Sequence, residues 1–468
     1  MESQSIHFKK RVAGALADTQ LQSNLRRFGG RFKIARAKVV GEVDDWEGTR
    51  AAAAEARDRA LNDLDTWIDR FEREATRRGA TVLFAETGAD VAELVNEICR
   101  RHGVKKVTKS KSMLSEEALL NQRLEAAGVQ PVETDLGEYI LQLAGETPSH
   151  IIAPAIHKSK EEVADLFEHE HHRPRTLDIP QMTREAREVL RAHFLSADLG
   201  ISGGNFLIAE TGSVALVTNE GNGRMVTTLP PVHVCITGIE KVLPTLEDLS
   251  LVMRLLPRSA TGQSISNYFT VVTGTRQPDD SDGPEHMYFI LVDNGRTNLV
   301  GGDMQEMLRC IRCGACMNHC PVYQTIGGHA YGWVYPGPMG SVLTPSYVGL
   351  ENALDLPHAA TLCGECSVAC PVKIPLPDLL RKLREKQVER GLRPASERLG
   401  IRVWSWVAQR PRLYALGARI AARFLRFQGG GRRMINHLPF GKGWTMGRDM
   451  PAPAGKTFRE LYAKRKVR

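Results

Sequence analysis

The sequence has 468 residues, 42% of them hydrophobic and 25% charged, which excludes a wholly disordered or fibrous chain. At roughly 100–200 residues per domain, we expect two to four domains. No apolar run reaches the ~20 residues that cross a bilayer, and the first residues lack the apolar core of a secretory signal, so a cytoplasmic location is predicted.

The net charge of +8 is unevenly distributed along the chain. Residues 381–468 contain 23 Lys and Arg against 5 Asp and Glu, a net charge of +18, which leaves −10 for the first 380 residues. A basic C-terminal region on an acidic body is typical of proteins that bind an acidic partner, a membrane surface or nucleic acid.

Residues 1–48 are predicted to form a helical lead-in, irregular and made of short helices. One long helix is then predicted by an apolar stripe at helical period, formed by Leu61, Leu64, Trp67, Ile68 and Phe71. After it, apolar strands alternate with helices of about ten residues, beginning with a strand at 81–86 and including one at 150–155. This alternation predicts βαβ units and a mostly parallel sheet.

Residues 205–210 and 214–219 are predicted to be paired strands on either side of a Thr-Gly-Ser turn. Further strands are predicted at 232–238, 268–274 and 287–293. The predicted fold class is therefore α/β with a mostly parallel sheet. The predicted domains are the lead-in (1–48), the α/β domain (49–298), a helical cysteine domain (299–380) and a basic helical region (381–468).

The strongest signal is the run Cys310-x2-Cys313-x2-Cys316-x3-Cys320-Pro321, which has the spacing of bacterial ferredoxins. In that pattern, three cysteines in a tight turn bind three irons of one cluster. The fourth cysteine, which precedes proline, binds the other cluster. Thiolates are the ligands that a soft iron–sulfur core prefers. The run therefore predicts a two-cluster, ferredoxin-like module.

A second run, Cys363-x2-Cys366-x3-Cys370-Pro371, repeats this pattern with Ala360 in the place of the first cysteine. Because the fourth cysteine of each run binds the other cluster, all seven thiols are predicted metal ligands. The ligands predicted for the first cluster are Cys310, Cys313, Cys316 and Cys370. The ligands predicted for the second cluster are Cys320, Cys363 and Cys366.

The second cluster is one thiolate short. Two [4Fe–4S] clusters are predicted, and the alternatives for the second are a [3Fe–4S] cluster, an open iron or a non-cysteine ligand such as His358. Structural zinc is a weaker interpretation because zinc ligands come in fours. An odd number of cysteines without a secretory signal argues against disulfides. Residues 313–350 contain no Asp, Glu, Lys or Arg, which indicates either a water-excluding shell or a surface loop.

Several weaker signals lie outside the cysteine runs. Lys109 and Lys111 follow a predicted strand and resemble an anion site, with a solvated basic turn as the alternative. The glycine-rich segment 200–205 is predicted to form tight turns or an anion-binding loop. A metal site is disfavoured for three neighbouring histidines, because adjacent positions do not share one face of a helix. These histidines are His169, His171 and His172.

Residues 133–158, residues 200–230 and the two cysteine runs resemble the lactate-utilisation protein B family, iron–sulfur proteins of the bacterial L-lactate oxidation system. The resemblance spans nearly the whole chain, including its basic end. It implies an α/β domain folded like sugar-phosphate isomerases and coenzyme-A transferases. It also implies two [4Fe–4S] clusters, the second held by three cysteines, and companion proteins A and C, which together oxidise L-lactate to pyruvate.

The leading functional prediction is an electron-transfer subunit that relays electrons through its two clusters. One alternative is an enzyme with its own small-acid active site in the α/β domain, around Glu210 and Asn219. The other is a cluster-containing nucleic-acid-binding protein. No catalytic residues are predicted, since the sequence has no flavin or nicotinamide fingerprint. Nucleic-acid binding is not expected without a matching fold signature, so the basic end is predicted to dock a subunit or contact a membrane.

Overall fold

The computed structural model describes residues 2–438, 441–445 and 448–465. The chain divides into two compact units, Met1–Gln387 and Val388–Arg468. The first unit opens with helices that precede the first strand. They are α1 (Phe8–Ala17), α2 (Thr19–Val40), α3 (Trp46–Asn62) and α4 (Leu64–Arg77).

The lead-in is helical as predicted, but the prediction of only short helices is wrong, since α2 has 22 residues. Its N-terminus is fixed by Asp18, whose carboxylate accepts the backbone N–H of Leu21 at 2.9 Å. The predicted long helix is also wrong, because the chain breaks into α3 and α4 at Asp63. The backbone there has φ −122° and ψ 43°, outside the helical region.

The strands of the first unit form two sheets. In chain order they are β1 (Thr81–Ala85), β2 (Lys106–Lys109), β3 (Gln130–Glu133), β4 (Leu199–Gly203), β5 (Phe206–Ile208), β6 (Ser213–Thr218), β7 (Val232–Gly238), β8 (Val242–Leu243), β9 (Tyr268–Val272) and β10 (His286–Val292). The larger sheet has the order β1-β10-β7-β4-β2-β3, and all its neighbouring strands are parallel. This confirms the predicted α/β class.

Helices cover both faces of the parallel sheet. The connections carry α5 (Gly88–Arg101), α6 (Met113–Glu117), α7 (Leu120–Ala126), α8 (Leu136–Ala144), α9 (Lys160–His171), α10 (Ile179–Leu195), α11 (Asn222–Thr228) and α12 (Leu246–Ala260). Successive residues of β7 point to opposite faces, so Val234 packs in the core with α5 and α7. Its neighbour Cys235 packs in the core with α4 on the other face.

The smaller sheet has the order β8-β5-β6-β9. The predicted pairing of 205–210 with 214–219 is confirmed, since β5 and β6 are antiparallel with Phe206 opposite Ala215. The strand predicted at 150–155 is wrong. There the His150 Nδ1 atom accepts the backbone N–H groups of Ile152 and Ala153, at 3.0 and 3.1 Å, which holds the segment in turns.

The cysteine runs follow the parallel sheet in a helical region. Its helices are α13 (Ala315–His319), α14 (Tyr323–Ile326), α15 (Gly337–Val348), α16 (Glu365–Ala369) and α17 (Leu376–Glu389). The uncharged stretch 313–350 is mostly buried, so the surface-loop interpretation is wrong and a water-excluding shell is the better description.

The second unit is helical and basic. Its elements are α18 (Ala395–Ala408), α19 (Pro411–Gln428), β11 (Met434–Ile435), α20 (Lys442–Thr445), β12 (Met450–Pro451) and α21 (Phe458–Ala463). The strands β11 and β12 pair in an antiparallel ribbon. Neither α18 nor α19 has a buried residue. Among the residues that the structure describes, no helix combines the length and apolarity needed to cross a bilayer.

Candidate metal centre at the two cysteine runs

The two cysteine runs follow the same backbone path, 50 residues apart in the sequence. Arg312 and Leu362 both have left-handed backbone, with φ of 58° and 56°. The glycines Gly314 and Gly364, two positions on, are left-handed as well and lead into the short helices α13 and α16. Left-handed backbone costs a non-glycine residue about 1–2 kcal/mol. Such strain concentrates at functional sites, so the repeated conformation indicates that both turns are functional.

The seven thiols of the runs differ in exposure. Cys363 alone among them is exposed, and Cys310 and Cys316 are half-buried. The other four, Cys313, Cys320, Cys366 and Cys370, are buried. All seven are free thiols, as are Cys99 and Cys235, which are buried within the cores of the α/β domain.

The thiols of the first predicted set act on one another. Burial raises the pKa of Cys316 well above its usual value, and the thiolates of Cys310 and Cys313 raise it further. Burial is likewise the main reason for the raised pKa of Cys313, followed by the Cys370 thiolate. Charges shift a pKa in this way only over a few ångströms. Cys370, from the second run, therefore lies within electrostatic range of Cys313 and Cys316 of the first run.

The second predicted set shows the same mutual effect. Burial raises the pKa of Cys366 to about 12, with further contributions from the thiolates of Cys320 and Cys363. Burial also raises the pKa of Cys320, and the Cys363 thiolate adds to it. At the exposed Cys363, hydrogen bonds from the Thr361 side chain and the Glu365 backbone lower the pKa. Thiols of both runs thus act on one another, which supports the predicted exchange of their last cysteines.

Backbone N–H groups point at two of the buried sulfurs. Tyr323 donates to Cys320 Sγ at 3.5 Å, and Ile374 donates to Cys370 Sγ at 3.4 Å. Hydrogen bonds of this kind stabilise thiolates and help set the potentials of iron–sulfur clusters. Within the described part of the chain, no three His, Cys, Asp or Glu side chains are arranged to hold a single metal ion. A cluster spreads its thiolates over several irons, so the donor set fits iron–sulfur ligation.

Arginines of the N-terminal helices hold the second run. Arg50 of α3 is buried, and its Nε and Nη2 atoms donate to the Cys370 carbonyl oxygen at 2.9 and 2.6 Å. The same Nη2 atom donates to the carbonyl of Ser367 at 3.1 Å. Arg36 of α2 donates to the carbonyl of Ala369 at 3.0 Å. The turn that carries Cys370 is therefore fixed by positively charged groups.

A buried ion-pair network ties the first run to the sheet. Arg296 binds both carboxylate oxygens of Glu117, each at 3.1 Å, and donates through Nε to Glu240 at 2.9 Å. Arg312 Nη2 lies 3.6 Å from Glu240, and Lys241 Nζ donates to the Cys310 carbonyl at 2.7 Å. Burial opposes ionisation of Glu240, but Arg296 and the other cations lower its pKa to about 2. Glu240 is thus an ionised carboxylate that several cations of the network share.

Sequence reasoning missed Arg36, Arg50 and the fully buried Arg57, which donates to the carbonyls of Val242 and Leu308 at 2.7 and 3.1 Å. The available signal was weak. Arg50 and Arg57 are seven residues apart, so they lie on one face of α3 among alanines that are largely buried.

The structure places the other candidate site residues of the α/β domain in different environments. Lys109 is buried and paired with Glu133 at 2.8 Å, so the interpretation as a solvated turn is wrong for this residue. Lys111 and Asn219 line a cavity, which is described below. Glu210 is not among the residues that line this cavity, and its carboxylate accepts the backbone N–H of Leu246 at 3.0 Å.

The histidines are engaged with protein groups. His171 Nδ1 lies 2.8 Å from Glu185 and its Nε2 lies 3.0 Å from the Tyr139 hydroxyl, so both ring nitrogens are occupied. His169 pairs with Glu170 at 2.8 Å. His358 Nε2 lies 2.9 Å from the side-chain oxygen of Gln387 on α17. These contacts support structural roles for the three residues.

The parallel sheet, followed by a helical region with two cysteine runs of ferredoxin spacing, is the architecture of an α/β protein with a ferredoxin-like iron–sulfur module. Residues 68–292 match the LUD domain, residues 306–374 the 4Fe-4S dicluster domain, and residues 380–467 the C-terminal region of lactate utilisation protein B.

The chain is 41% identical over 462 residues to lactate utilization protein B of Bacillus licheniformis, covering 98% of this chain and 97% of that protein. It is 42% identical over 461 residues to the protein of the same name from Geobacillus kaustophilus, with the same coverage. The chain therefore belongs to the lactate utilization protein B family. A solved DUF162 family protein from Deinococcus radiodurans is 15% identical with a TM-score of 0.27, covering 49% of this chain and 98% of that one.

Proposed function

We propose that this protein is the iron–sulfur electron-transfer subunit of a complex that oxidises L-lactate to pyruvate. The observation that carries the proposal is that two cysteine runs of ferredoxin spacing lie in one helical module, where thiols of the two runs raise one another's pKa values. Membership of the lactate utilization protein B family supports the substrate. Companion lactate-utilisation proteins A and C are the proposed partners.

The proposed ligands of the first [4Fe–4S] cluster are Cys310, Cys313, Cys316 and Cys370. Those of the second are Cys320, Cys363 and Cys366. When bound, such clusters accept and release single electrons without breaking a substrate bond. The protein itself supplies burial: the uncharged stretch 313–350 keeps water from the first set.

The exposed face of the module lies at the second run. Cys363 is exposed, and its neighbours Leu362 and Val368 are 40% and 68% exposed. A redox partner can therefore approach the second set more closely than the first. The proposed fourth position of the second cluster lies at the half-buried Ala360, which occupies the place of Cys310 in the repeat. A [4Fe–4S] cluster with one iron not bound by cysteine is proposed there.

The second unit presents a docking surface for a companion subunit. Large apolar side chains on α19 recur on one face and are all at least 40% exposed; these are Leu413, Leu416, Ile420, Phe424 and Phe427. Arginines occupy positions next to most of these apolar residues in the sequence of α19. On α18, Val403 and Trp404 are exposed on two different faces. A lipid surface needs only one apolar face, so a protein partner fits this helix pair better.

Iron counting on anaerobically reconstituted protein tests the cluster proposal. We expect about eight irons per chain, and fewer than about six would contradict two clusters. Electron paramagnetic resonance (EPR) spectroscopy separates a [4Fe–4S] from a [3Fe–4S] second cluster. Adding companion proteins and L-lactate should reduce the clusters, whereas reduction by lactate without companions would favour an active site within this chain.

A Phe424→Glu, Phe427→Glu double variant tests the docking surface. It should abolish co-purification with the companions and leave the iron content unchanged, because both side chains lie outside the cysteine module. The control is Tyr462→Glu, an equally exposed aromatic residue on α21. Unchanged co-purification, or loss of binding to anionic vesicles or to DNA instead, would overturn docking in favour of those surfaces.

A further inference from the structure

A cavity of about 330 Å³ lies at the carboxyl ends of β2, β4 and β7. Lys111 follows β2, Gly203 ends β4 and Gly238 ends β7, and all three residues line it. This edge of an open parallel sheet is where α/β proteins bind their ligands. The volume is at the lower end of the range of small-molecule sites.

One wall of the cavity belongs to the cysteine module. Cys313, Arg312 and Tyr335 line it together with Lys241. Gly238 makes this wall possible, because a Cβ atom there would lie 2.0 Å from Glu240 Oε2 and 2.6 Å from Arg296 Nε. The sheet edge and Cys313 of the first cysteine run therefore line the same cavity.

Two basic side chains on this wall, Arg312 and Lys241, face the single carboxylate of Glu240, and burial lowers the pKa of Lys241 to about 7. Glu240 is the carboxylate nearest to Lys241 and Arg312, at 3.9 and 3.6 Å, and its other oxygen already pairs with Arg296. These cations also face the Cys310 loop, so a bound cluster would account for part of their charge.

Lys111 is not explained by the cysteines. Its Nζ atom donates to the carbonyl of Ile152 at 3.2 Å, and the carboxylates of Glu138 and Glu220 act on it electrostatically without an ion pair formed in the described ranges. Two acidic residues of the lining accept backbone N–H groups, since Asp135 caps α8 and Glu220 accepts the N–H of Leu136. Apolar side chains of Leu216, Ile236 and Pro257 complete the lining.

We propose that this cavity binds a small organic acid, with its carboxylate held by Lys111 and the cationic wall and its carbon skeleton against the apolar lining. The inference rests on the proposed function, which gives the first cluster its place behind Cys313. It assigns to the α/β domain the task of holding the acid beside that cluster.

Calorimetric titration of the reconstituted full chain, without air, tests the proposal with L-lactate and pyruvate as ligands and inorganic phosphate as the competing anion. We expect saturable binding of at least one acid, weakened about tenfold or more, which is about 1.4 kcal/mol, in Lys111→Gln. Lys160→Gln, an exposed lysine on α9, is the matched control and should bind normally.

The EPR spectrum supplies a second readout. Because Cys313 lines the cavity, the bound acid should perturb the signal of the first cluster and leave that of the second unchanged. Lys111→Gln should lose this perturbation at unchanged iron content. If that variant is unstable, Lys111→Arg keeps the charge, and restored binding would support the proposal.

Binding that is equal in the wild type and Lys111→Gln would overturn the inference, as would no binding of either acid. Stronger binding of phosphate than of both acids would overturn the ligand class. All of these results leave the proposed function standing if the iron count is about eight per chain. A low iron count contradicts the proposed function whatever the cavity binds.

Discussion

The two cysteine runs share a backbone conformation but not an environment. In the first, Cys313 is buried and lies next to Arg312, a cation beside the ion-pair network of Glu240. In the second, the equivalent Cys363 is exposed and is followed by Glu365, also exposed. The repeat therefore fixes where the thiols point, while the residues around each run decide its charge and its access to water.

This difference has an electrostatic consequence. Reduction adds a negative charge to a cluster, and nearby cations stabilise that charge most strongly where water is excluded. The basic residues Arg50, Lys241 and Arg312 lie at the first set. We therefore expect the first cluster to have the higher potential and to be reduced before the second.

Replacing a central thiol should have the largest effect. Cys316→Ser removes a ligand whose neighbours include cysteines of both runs, so the iron content should fall from about eight to about four per chain. Iron and sulfide assays measure this loss, and Cys99→Ala, in the core of the sheet domain, is the control. Full iron content in Cys316→Ser would show that the first set is wrongly assigned.

Supplying the missing thiol should make the two runs more alike. Ala360→Cys places a cysteine at the position equivalent to Cys310, where Arg384 of α17 already holds the backbone carbonyl at 3.1 Å. We expect iron release from the second cluster to a chelator to slow several-fold. The adjacent variant Ala359→Cys should not slow it. If both variants behave alike, the repeat does not extend to the fourth ligand.

Removing one cation should reduce the difference in potential. Arg50→Gln takes a buried charge from the Cys370 turn, so the midpoint potential of the first cluster should fall by some tens of millivolts, corresponding to ~1 kcal/mol. Redox titration monitored by EPR measures the change. Arg59→Gln, on the exposed side of the same helix, should leave the potential unchanged. A shift of the second cluster alone would contradict the proposed asymmetry.

The parts predictable from sequence are those that depend on local spacing. The parallel strands follow from apolar segments at regular intervals, and the exchange of Cys320 and Cys370, which stays a prediction, follows from the ferredoxin spacing. Arg50 was not predictable, because it meets Cys370 from 320 positions away. The turn at His150 was not predictable either, because the His150 side chain accepts a backbone N–H group that would pair with a neighbouring strand if the segment were a strand.

The proposed exchange of cysteines also constrains when the clusters can be inserted. Cys370 completes the first set, and it lies near the end of the module in the chain. Cys320 is the first cysteine of the second set to be synthesised, and that set is incomplete until Cys363 and Cys366 have followed. Under this assignment a nascent chain has neither set complete until almost the whole module has left the ribosome, so we expect both clusters to be inserted late in synthesis and close together in time.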